Sequence, residues 1–198
     1  MDAHPEVAAV QPKIRSWRDK AYFEYAGAAG GYLSWLGYPS CRGRKWGRVE
    51  KDKGQYDTIA EVDWTTGACM CVRTQVYKEL GGLDASFFAH MEEIDLCWRM
   101  RNKKWKLACV PQSTVYHLGG GSLSYDNPRK TYLNFRNNLV MIYKNRRFPW
   151  CVLAIRCVLD YVAALHFLLQ GKKGSAKAVL EARRDYKKMR VKSVKCKV

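Results

Sequence analysis

The sequence predicts an α/β fold, because strand patterns and helix patterns alternate along most of the chain. Residues 61–73 contain two strand segments separated by a glycine-containing break, and 105–110 and 114–117 are further extended stretches. Apolar residues recur at helical spacing over 91–102 and again after residue 127. With 198 residues, of which 47% are hydrophobic, the chain is long enough to bury a core of its own.

The N-terminal part of the chain is less regular. The opening predicts the tail of a helix that runs into a strand, with residues 7–10 as a short apolar run that Gln11, Pro12 and Lys13 should end. Residues 14–60 are rich in Gly, Tyr, Trp and Arg without a sustained period. This composition predicts a long, partly ordered loop of the kind that is often functional.

Capping residues mark the starts of two helices. Thr74 should cap a short helix over 75–80, and Gly81 suits the C-terminal end of that helix. Asn127 followed by Pro128 is the usual order of cap and proline at a helix start. The apolar stripe that follows predicts a helix packed on the rest of its domain.

The helix over 91–102 begins with three acids, Glu92, Glu93 and Asp95. Carboxylates in a first turn suit the positive end of the helix dipole, so capping and solubility alone can explain them. Asp95 also stands four residues before Arg99, which is the favourable orientation for a helical ion pair. The pattern alone therefore leaves structural and catalytic roles open.

Residues 150–170 form a strongly apolar segment, close to the ~20 residues at which a membrane span becomes possible. Arg156 and Asp160 are four residues apart and could neutralise each other, and His166 is a third ionisable group. Three such groups make a lipid-exposed span costly. Whether the segment spans, lies on or avoids a membrane is left open.

A last helix is predicted after Gly171 and Gly174, with Ser175 as its cap. One face of this helix is apolar and consists of Val179, Ala182, Tyr186 and Met189. The opposite face is basic and consists of Lys177, Arg183, Arg184, Lys187 and Lys188. Such an amphipathic helix either lies on a membrane surface or packs its apolar stripe on the domain and leaves the basic face solvated.

The formal net charge of +17 is concentrated in the C-terminal part of the chain. Residues 146–198 hold 14 Lys and Arg against 3 acids, whereas residues 1–145 hold 21 against 15. This difference predicts a division into a domain over 1–145 and a basic, apolar-rich helical tail over 146–198. A positive tail attracts phospholipid headgroups, nucleic acid or the phosphates of a substrate.

Two features favour a cytoplasmic protein. The N-terminal residues lack the basic segment and apolar run of a secretory signal. The eight cysteines are scattered without the spacing of a zinc site, which favours reduced and mostly buried thiols.

An ordered series of short motifs runs from residue 63 to residue 122. Its members are Thr66-Gly67-Ala68, Arg73, Gly81-Gly82-Leu83-Asp84, Phe87-Phe88, the run EEIDLCWR over 92–99, Pro111, Val115-Tyr116-His117 and Ser122. In this order the series resembles the C-terminal half of family 2 glycosyltransferases, especially bacterial rhamnosyltransferase-like members, over roughly residues 7–145. The resemblance implies a partial GT-A fold, namely the acceptor-side half of its mixed sheet, followed here by C-terminal amphipathic helices.

The resemblance implies a general base at the start of the helix over 91–102. In an inverting transfer an acceptor hydroxyl attacks the anomeric carbon in one displacement, so a carboxylate must take its proton. The matching position is Glu93, where the family normally has Asp, and Glu is one methylene longer. Glu92 is expected to orient the site, and Asp95 is the competing candidate for the base.

The resemblance also implies a divalent metal, Mn or Mg, and a set of substrate-binding residues. His117 is the implied metal ligand, although a lone histidine after a strand is more often structural. The remaining ligands come from an Asp-x-Asp motif in the family, and this sequence has none. The substrate-binding residues are expected to be Trp64, Thr65, Thr66, Gly67, Arg99, Gly120 and Ser122.

These implications describe a cytoplasmic enzyme that is peripheral to the inner face of the cell membrane and contributes to cell-surface polysaccharide synthesis. Its partners would be a nucleotide-sugar donor, a glycan or lipid-linked acceptor and an anionic membrane surface, but no nucleic acid. No nucleotide-binding βαβ half is recognisable before residue 60, so we expect a truncated enzyme that is inactive by itself. The alternative is a basic module that binds anionic membrane or nucleic acid without catalysis.

Overall fold

The computed structural model describes residues 1–119 and 127–195, with the side chains of the last helix described as far as Met189. The chain forms two compact units. The first consists of Met1–Ala85 and Glu93–Gly121, and the second consists of Ser86–Glu92 and Ser122–Val198. A mixed sheet followed by C-terminal helices confirms the predicted α/β class. The predicted division after residue 145 stays a prediction.

The described elements follow one another in a simple order. The strands are β1 (Val7–Ser16), β2 (Gly31–Leu33), β3 (Pro39–Cys41), β4 (Arg44–Lys45), β5 (Arg48–Val49), β6 (Ala60–Glu61), β7 (Cys71–Val72) and β8 (Lys106–His117). The helices are α1 (Thr74–Glu79), α2 (Glu92–Asn102), α3 (Pro128–Asn145), α4 (Trp150–Leu169) and α5 (Lys173–Lys195).

The main sheet has the strand order β6-β8-β1-β7, with β1 and β8 parallel at its centre and antiparallel strands on either side. The prediction that Gln11, Pro12 and Lys13 end the first strand is wrong, because β1 continues through them. The register shifts at this point, so that Pro12 pairs with Val110 and Lys13 already pairs with Thr114. A bulge accommodates a proline that cannot donate to the ladder.

The expectation of two separate extended stretches over 105–110 and 114–117 is wrong, because the same bulge lets the chain continue as one strand. A single strand, β8, runs through both stretches and ends at His117. Pro111 therefore interrupts the pairing of this strand without ending it.

The segment 14–60 is more ordered than its composition predicts. It contains two short hairpins, β2–β3 and β4–β5, and its Phe23 is buried in the core. The buried Lys13 ammonium donates to Asp52 at 3.1 Å and also to Asp57. Burial alone would lower the pKa of Lys13, but the hydrogen bonds to Asp57 and Asp52 raise it above its ordinary value. Polar contacts and a few buried apolar residues such as Phe23 together order this segment.

The two predicted caps have different outcomes. Asn127 accepts a hydrogen bond from the backbone N–H of Arg129 at 2.9 Å and so caps α3, as predicted. Thr74 is the first residue of α1 rather than its cap, and the capping position is held by Arg73 without a side-chain hydrogen bond. Gly81 follows α1 with a φ of 77°, a left-handed conformation that glycine adopts without strain.

The second unit is built around α3, α4 and α5. The apolar stripe of α5 is buried at Val179, Ala182 and Tyr186. Of the two alternatives for this helix, the structure shows the stripe packed within the unit, where α5 contacts both α3 and α4. Arg183 was expected on the solvated basic face, but its side chain is buried.

A buried cluster of charges explains the position of Arg183. Asp160 of α4 accepts from Arg183 at 2.6 Å and from Arg156 at 3.2 Å, so the ion pair predicted from their spacing is confirmed. Arg156 also donates to Asn138 of α3. Because all three charged side chains are almost fully buried, the cluster ties the three helices together at one level.

We expect Asp160→Ala to destabilise the second unit by about 3–5 kcal/mol, since it leaves two guanidinium groups buried without their carboxylate. Urea unfolding followed by circular dichroism measures this loss. The matched control is Glu181→Ala, which removes a half-exposed carboxylate 3.9 Å from Lys177 and should cost less than about 1 kcal/mol. Equal losses in the two variants would contradict the structural role of the cluster.

Candidate active site

The turn formed by residues 64–67 lies beside the start of α2 in the first unit. Thr65 is buried, and its backbone N–H donates to Cys97 Sγ of α2 at 3.4 Å. Burial raises the pKa of the Cys97 thiol to about 11, so Cys97 is a neutral structural contact near neutral pH rather than a nucleophile. This contact fixes the distance between the turn and the helix.

The turn brings Gly67 directly against Glu93. A Cβ atom at position 67 would lie 3.6 Å from Cβ of Glu93 and 3.7 Å from its Cγ. Gly67 itself is exposed and Glu93 is half-buried, whereas Trp64, Thr65 and Thr66 are buried. The predicted base and one predicted substrate-binding residue are therefore neighbours, with Gly67 exposed and the Oε2 atom of Glu93 buried.

The buried Gln11 of β1 holds the turn from the other side. Its Oε1 atom accepts from the backbone N–H of Thr66 at 2.8 Å, and its Nε2 atom donates to the carbonyl of Gly27 at 2.9 Å. Nothing in the local pattern distinguished this residue, because a polar residue before proline resembles the end of a strand. Gln11 is the main positioning residue that the sequence did not reveal.

Trp64 is part of the buried core. Its indole Nε1 donates to the carbonyl of Tyr32 at 3.4 Å, and only 5% of the residue is exposed. A Cβ atom at Gly31 would lie 2.3 Å from the Trp64 ring and 2.2 Å from the carbonyl oxygen of Ser40. A glycine is therefore required at position 31, and direct substrate contact by Trp64 stays a prediction.

Asp95 and Arg99 form the ion pair that their spacing predicted, with 2.8 Å between Arg99 Nε and Asp95 Oδ2. The same guanidinium donates to the carbonyls of Leu80 at 2.6 Å and Gly82 at 2.8 Å. These contacts tie α2 to the turn that follows α1. Both side chains therefore have a structural role. The catalytic role of Asp95 and the substrate-binding role of Arg99 stay predictions.

Glu92, the first residue of α2, belongs to the second unit. Its Oε2 atom is buried and accepts no hydrogen bond from any residue that the structure describes. A buried carboxylate oxygen normally has a partner. The orienting role expected of Glu92 stays a prediction.

His117, at the end of β8, faces a buried carboxylate. Its Nδ1 atom lies 3.9 Å from Oε2 of Glu24, while Oε1 of Glu24 accepts the backbone N–H of Tyr25 at 2.9 Å. A Cβ atom at Gly119 would lie 2.1 Å from Glu24 Oε1, so the chain after β8 packs closely on this carboxylate. Glu24 was not predicted, since it is a single acid in an irregular segment.

Contacts within the first unit connect the two clusters. Gly27, three residues after Glu24, has a φ of 101°, and a Cβ atom there would lie 2.4 Å from Cβ of Thr66. The segment that contains Glu24 therefore packs on the turn that contains Gly67. Two predicted site residues, Gly120 and Ser122, lie outside the described residues.

The described residues offer only part of a metal site. Among them, no group of three or more His, Cys, Asp and Glu side chains could hold a metal ion. His117 has a buried Nδ1 atom without a hydrogen-bond partner among these residues, and it stands beside the Glu24 carboxylate. His117 could therefore supply one ligand of a shared site, although its Nδ1 atom lies beyond hydrogen-bond distance of Glu24.

A family model described as Glycosyltransferase like family 2 matches residues 3–143, which is most of the chain. The chain belongs to this family. The family 2 resemblance predicted from the motifs over 63–122 is thereby confirmed. The mixed sheet with its C-terminal helices agrees with a partial GT-A fold.

Three relatives illustrate the similarity within family 2. The N-acetylglucosaminyl-diphospho-decaprenol L-rhamnosyltransferase of Mycobacterium tuberculosis is 36% identical over 104 residues, which are 52% of this chain and 34% of the relative. Rhamnosyltransferase WbbL of Escherichia coli is 33% identical over 70 residues, 35% of this chain and 26% of the relative.

The third relative, the low-salt glycan biosynthesis hexosyltransferase Agl10 of Haloferax volcanii, is 27% identical over 88 residues, 44% of this chain and 29% of the relative. The matched segments therefore cover about a third or less of the length of these family 2 relatives.

Proposed function

We propose that this chain supplies the acceptor-side part of an inverting glycosyltransferase. The donor is a nucleotide sugar and the acceptor is a glycan or a lipid-linked sugar used in cell-surface polysaccharide synthesis. Membership of family 2 supports the reaction class, and the names of the three relatives support sugar transfer. One of those names joins rhamnosyl transfer to a decaprenol-linked sugar, which supports a lipid-linked acceptor.

The observation that carries the proposal is the close approach of Glu93 to the exposed Gly67, where a Cβ atom would lie 3.9 Å from Cδ of Glu93. An acceptor hydroxyl that binds over Gly67 is within reach of the Glu93 carboxylate. As the hydroxyl oxygen bonds to the anomeric carbon, Glu93 takes its proton and the bond from that carbon to the nucleoside diphosphate breaks.

We propose that His117 contributes one ligand to a divalent cation, Mn or Mg. Such a cation supplies positive charge to the departing diphosphate. The other ligands come from an acidic motif outside this chain, since the sequence has no Asp-x-Asp. Transfer therefore requires a protein in which this chain is joined to a nucleotide-binding half, and we expect no transfer from this chain alone.

In such a protein, Glu93→Gln should lower the maximal transfer rate by about 10²–10⁴-fold, the usual contribution of general acid–base catalysis. The Michaelis constant for the acceptor should change little, because glutamine keeps the size and hydrogen-bonding capacity of the side chain. Glu61→Gln is the control, since Glu61 is an exposed carboxylate of β6. An undiminished rate in Glu93→Gln rules out its role as base.

His117→Ala should raise the Mn²⁺ concentration needed for half the maximal rate by at least about tenfold, because even changes beside a metal ligand cost about 10–100-fold. The measurement is a Mn²⁺ titration after treatment with a chelator. His4→Ala, at an exposed histidine, is the control and should behave as the parent does. A parent whose transfer survives complete chelation would exclude the metal.

A further inference from the structure

The outward face of α4 is apolar along the whole helix. Its exposed residues recur at intervals of three and four, and they are Cys151, Ala154, Ile155, Val158, Tyr161, Val162, Leu165, Leu168 and Leu169. From residue 151 to residue 169 this stripe is about 27 Å long at 1.5 Å per residue. Among the exposed positions of α4, His166 is the one residue of the Asp, Glu, Lys, Arg and His types. Contiguous apolar patches of this size on soluble proteins usually mark an interaction site.

The opposite face of α4 is held inside the second unit. Val152, Leu153, Arg156, Asp160 and Ala164 are all buried there. By length and composition α4 is a candidate membrane span among the described residues. A lone span would carry Arg156 and Asp160 into hydrocarbon without their partner Arg183, which is costly. The packing therefore favours a helix that lies along a surface with one face outward.

Both ends of the stripe carry residues suited to a membrane interface. Phe148 and Trp150 are exposed before and at the start of α4, and the Arg147 guanidinium lies 5.3 Å from the Phe148 ring centroid. Lys172 and Lys173 are exposed just beyond the other end of α4. Aromatic rings and basic side chains favour the headgroup layer, where the rings are half-hydrated and the cations meet phosphate.

We propose that the exposed face of α4 docks in the plane of an anionic phospholipid membrane. Charge selects this occupant over a second copy of the chain. The exposed Arg147, Lys172 and Lys173 stand at the two ends of the stripe and no Asp or Glu lies among the exposed positions of α4, so two such faces would repel each other. An anionic lipid surface attracts the same basic residues and accepts the apolar stripe between them.

Docking is independent of sugar transfer, and its test measures binding alone. The full chain is sedimented with vesicles of phosphatidylcholine, with or without phosphatidylglycerol. Retention should require phosphatidylglycerol and should fall as salt is added, because salt screens the basic ends of the stripe. Val162→Glu and Leu165→Glu should each lower retention at least about tenfold, since they place a carboxylate in the apolar contact and beside anionic headgroups.

The matched control is Ile59→Glu in the first unit. Ile59 is 61% exposed, compared with 57% for Val162 and 56% for Leu165, so all three variants add the same charge at similar exposure. Ile59→Glu should be retained as the parent is, and all three should keep the parent's circular dichroism and melting temperature. Sedimentation in solution without vesicles reports self-association.

Two outcomes overturn the proposal. One is a failure of phosphatidylglycerol vesicles to retain the parent, and a dimeric parent that Leu165→Glu converts to a monomer would then identify a second copy as the occupant. The other is equal retention of the parent and the Val162 and Leu165 variants. Sugar transfer enters none of these measurements, so failure of docking leaves the proposed transfer open to its own tests.

Discussion

The arrangement of the first unit depends on the side-chain amide of Gln11. The oxygen of this buried amide accepts from the backbone N–H of Thr66, and its nitrogen donates to the carbonyl of Gly27. Leaving a buried backbone group without its partner costs about 1–3 kcal/mol. Through Thr66 the amide sets the turn that meets Glu93, and through Gly27 it sets the segment that leads back to Glu24. One hydrogen-bonding group thus positions the surroundings of both predicted functional residues.

The second unit follows a different constraint, because its organising contact is ionic. Asp160 lies between two arginines, and this cluster decides which face of α4 turns inward. Once that face is fixed, the remaining residues of the helix are almost all apolar and exposed. An apolar helix that keeps charged partners on its inner face and basic residues at its ends is suited to the membrane interface rather than to spanning.

Some residues whose roles are local could be predicted from the sequence, although the cap predicted at Thr74 was wrong. Asn127 as a cap and the pairing of Asp95 with Arg99 depend on neighbours within a few positions, and both are confirmed. Gln11 and Arg183 could not be predicted in the same way. Each is fixed by a partner far along the chain, and helical periodicity cannot tell which of several basic residues will face a buried acid. The family motifs directed attention to Glu93, but the contact with Gly67 required the structure.

The most direct test of this arrangement is a double-mutant cycle on the transfer rate of a protein that joins this chain to a nucleotide-binding half. Gln11→Met keeps the side-chain length and removes its hydrogen bonds, so the turn over 64–67 loses its support. If the turn acts by presenting the acceptor to Glu93, Gln11→Met should slow the parent but have little further effect in a Glu93→Gln background, with a coupling of about 0.5–3 kcal/mol. Losses that simply add would show that Gln11 and Glu93 act independently and would contradict a single site.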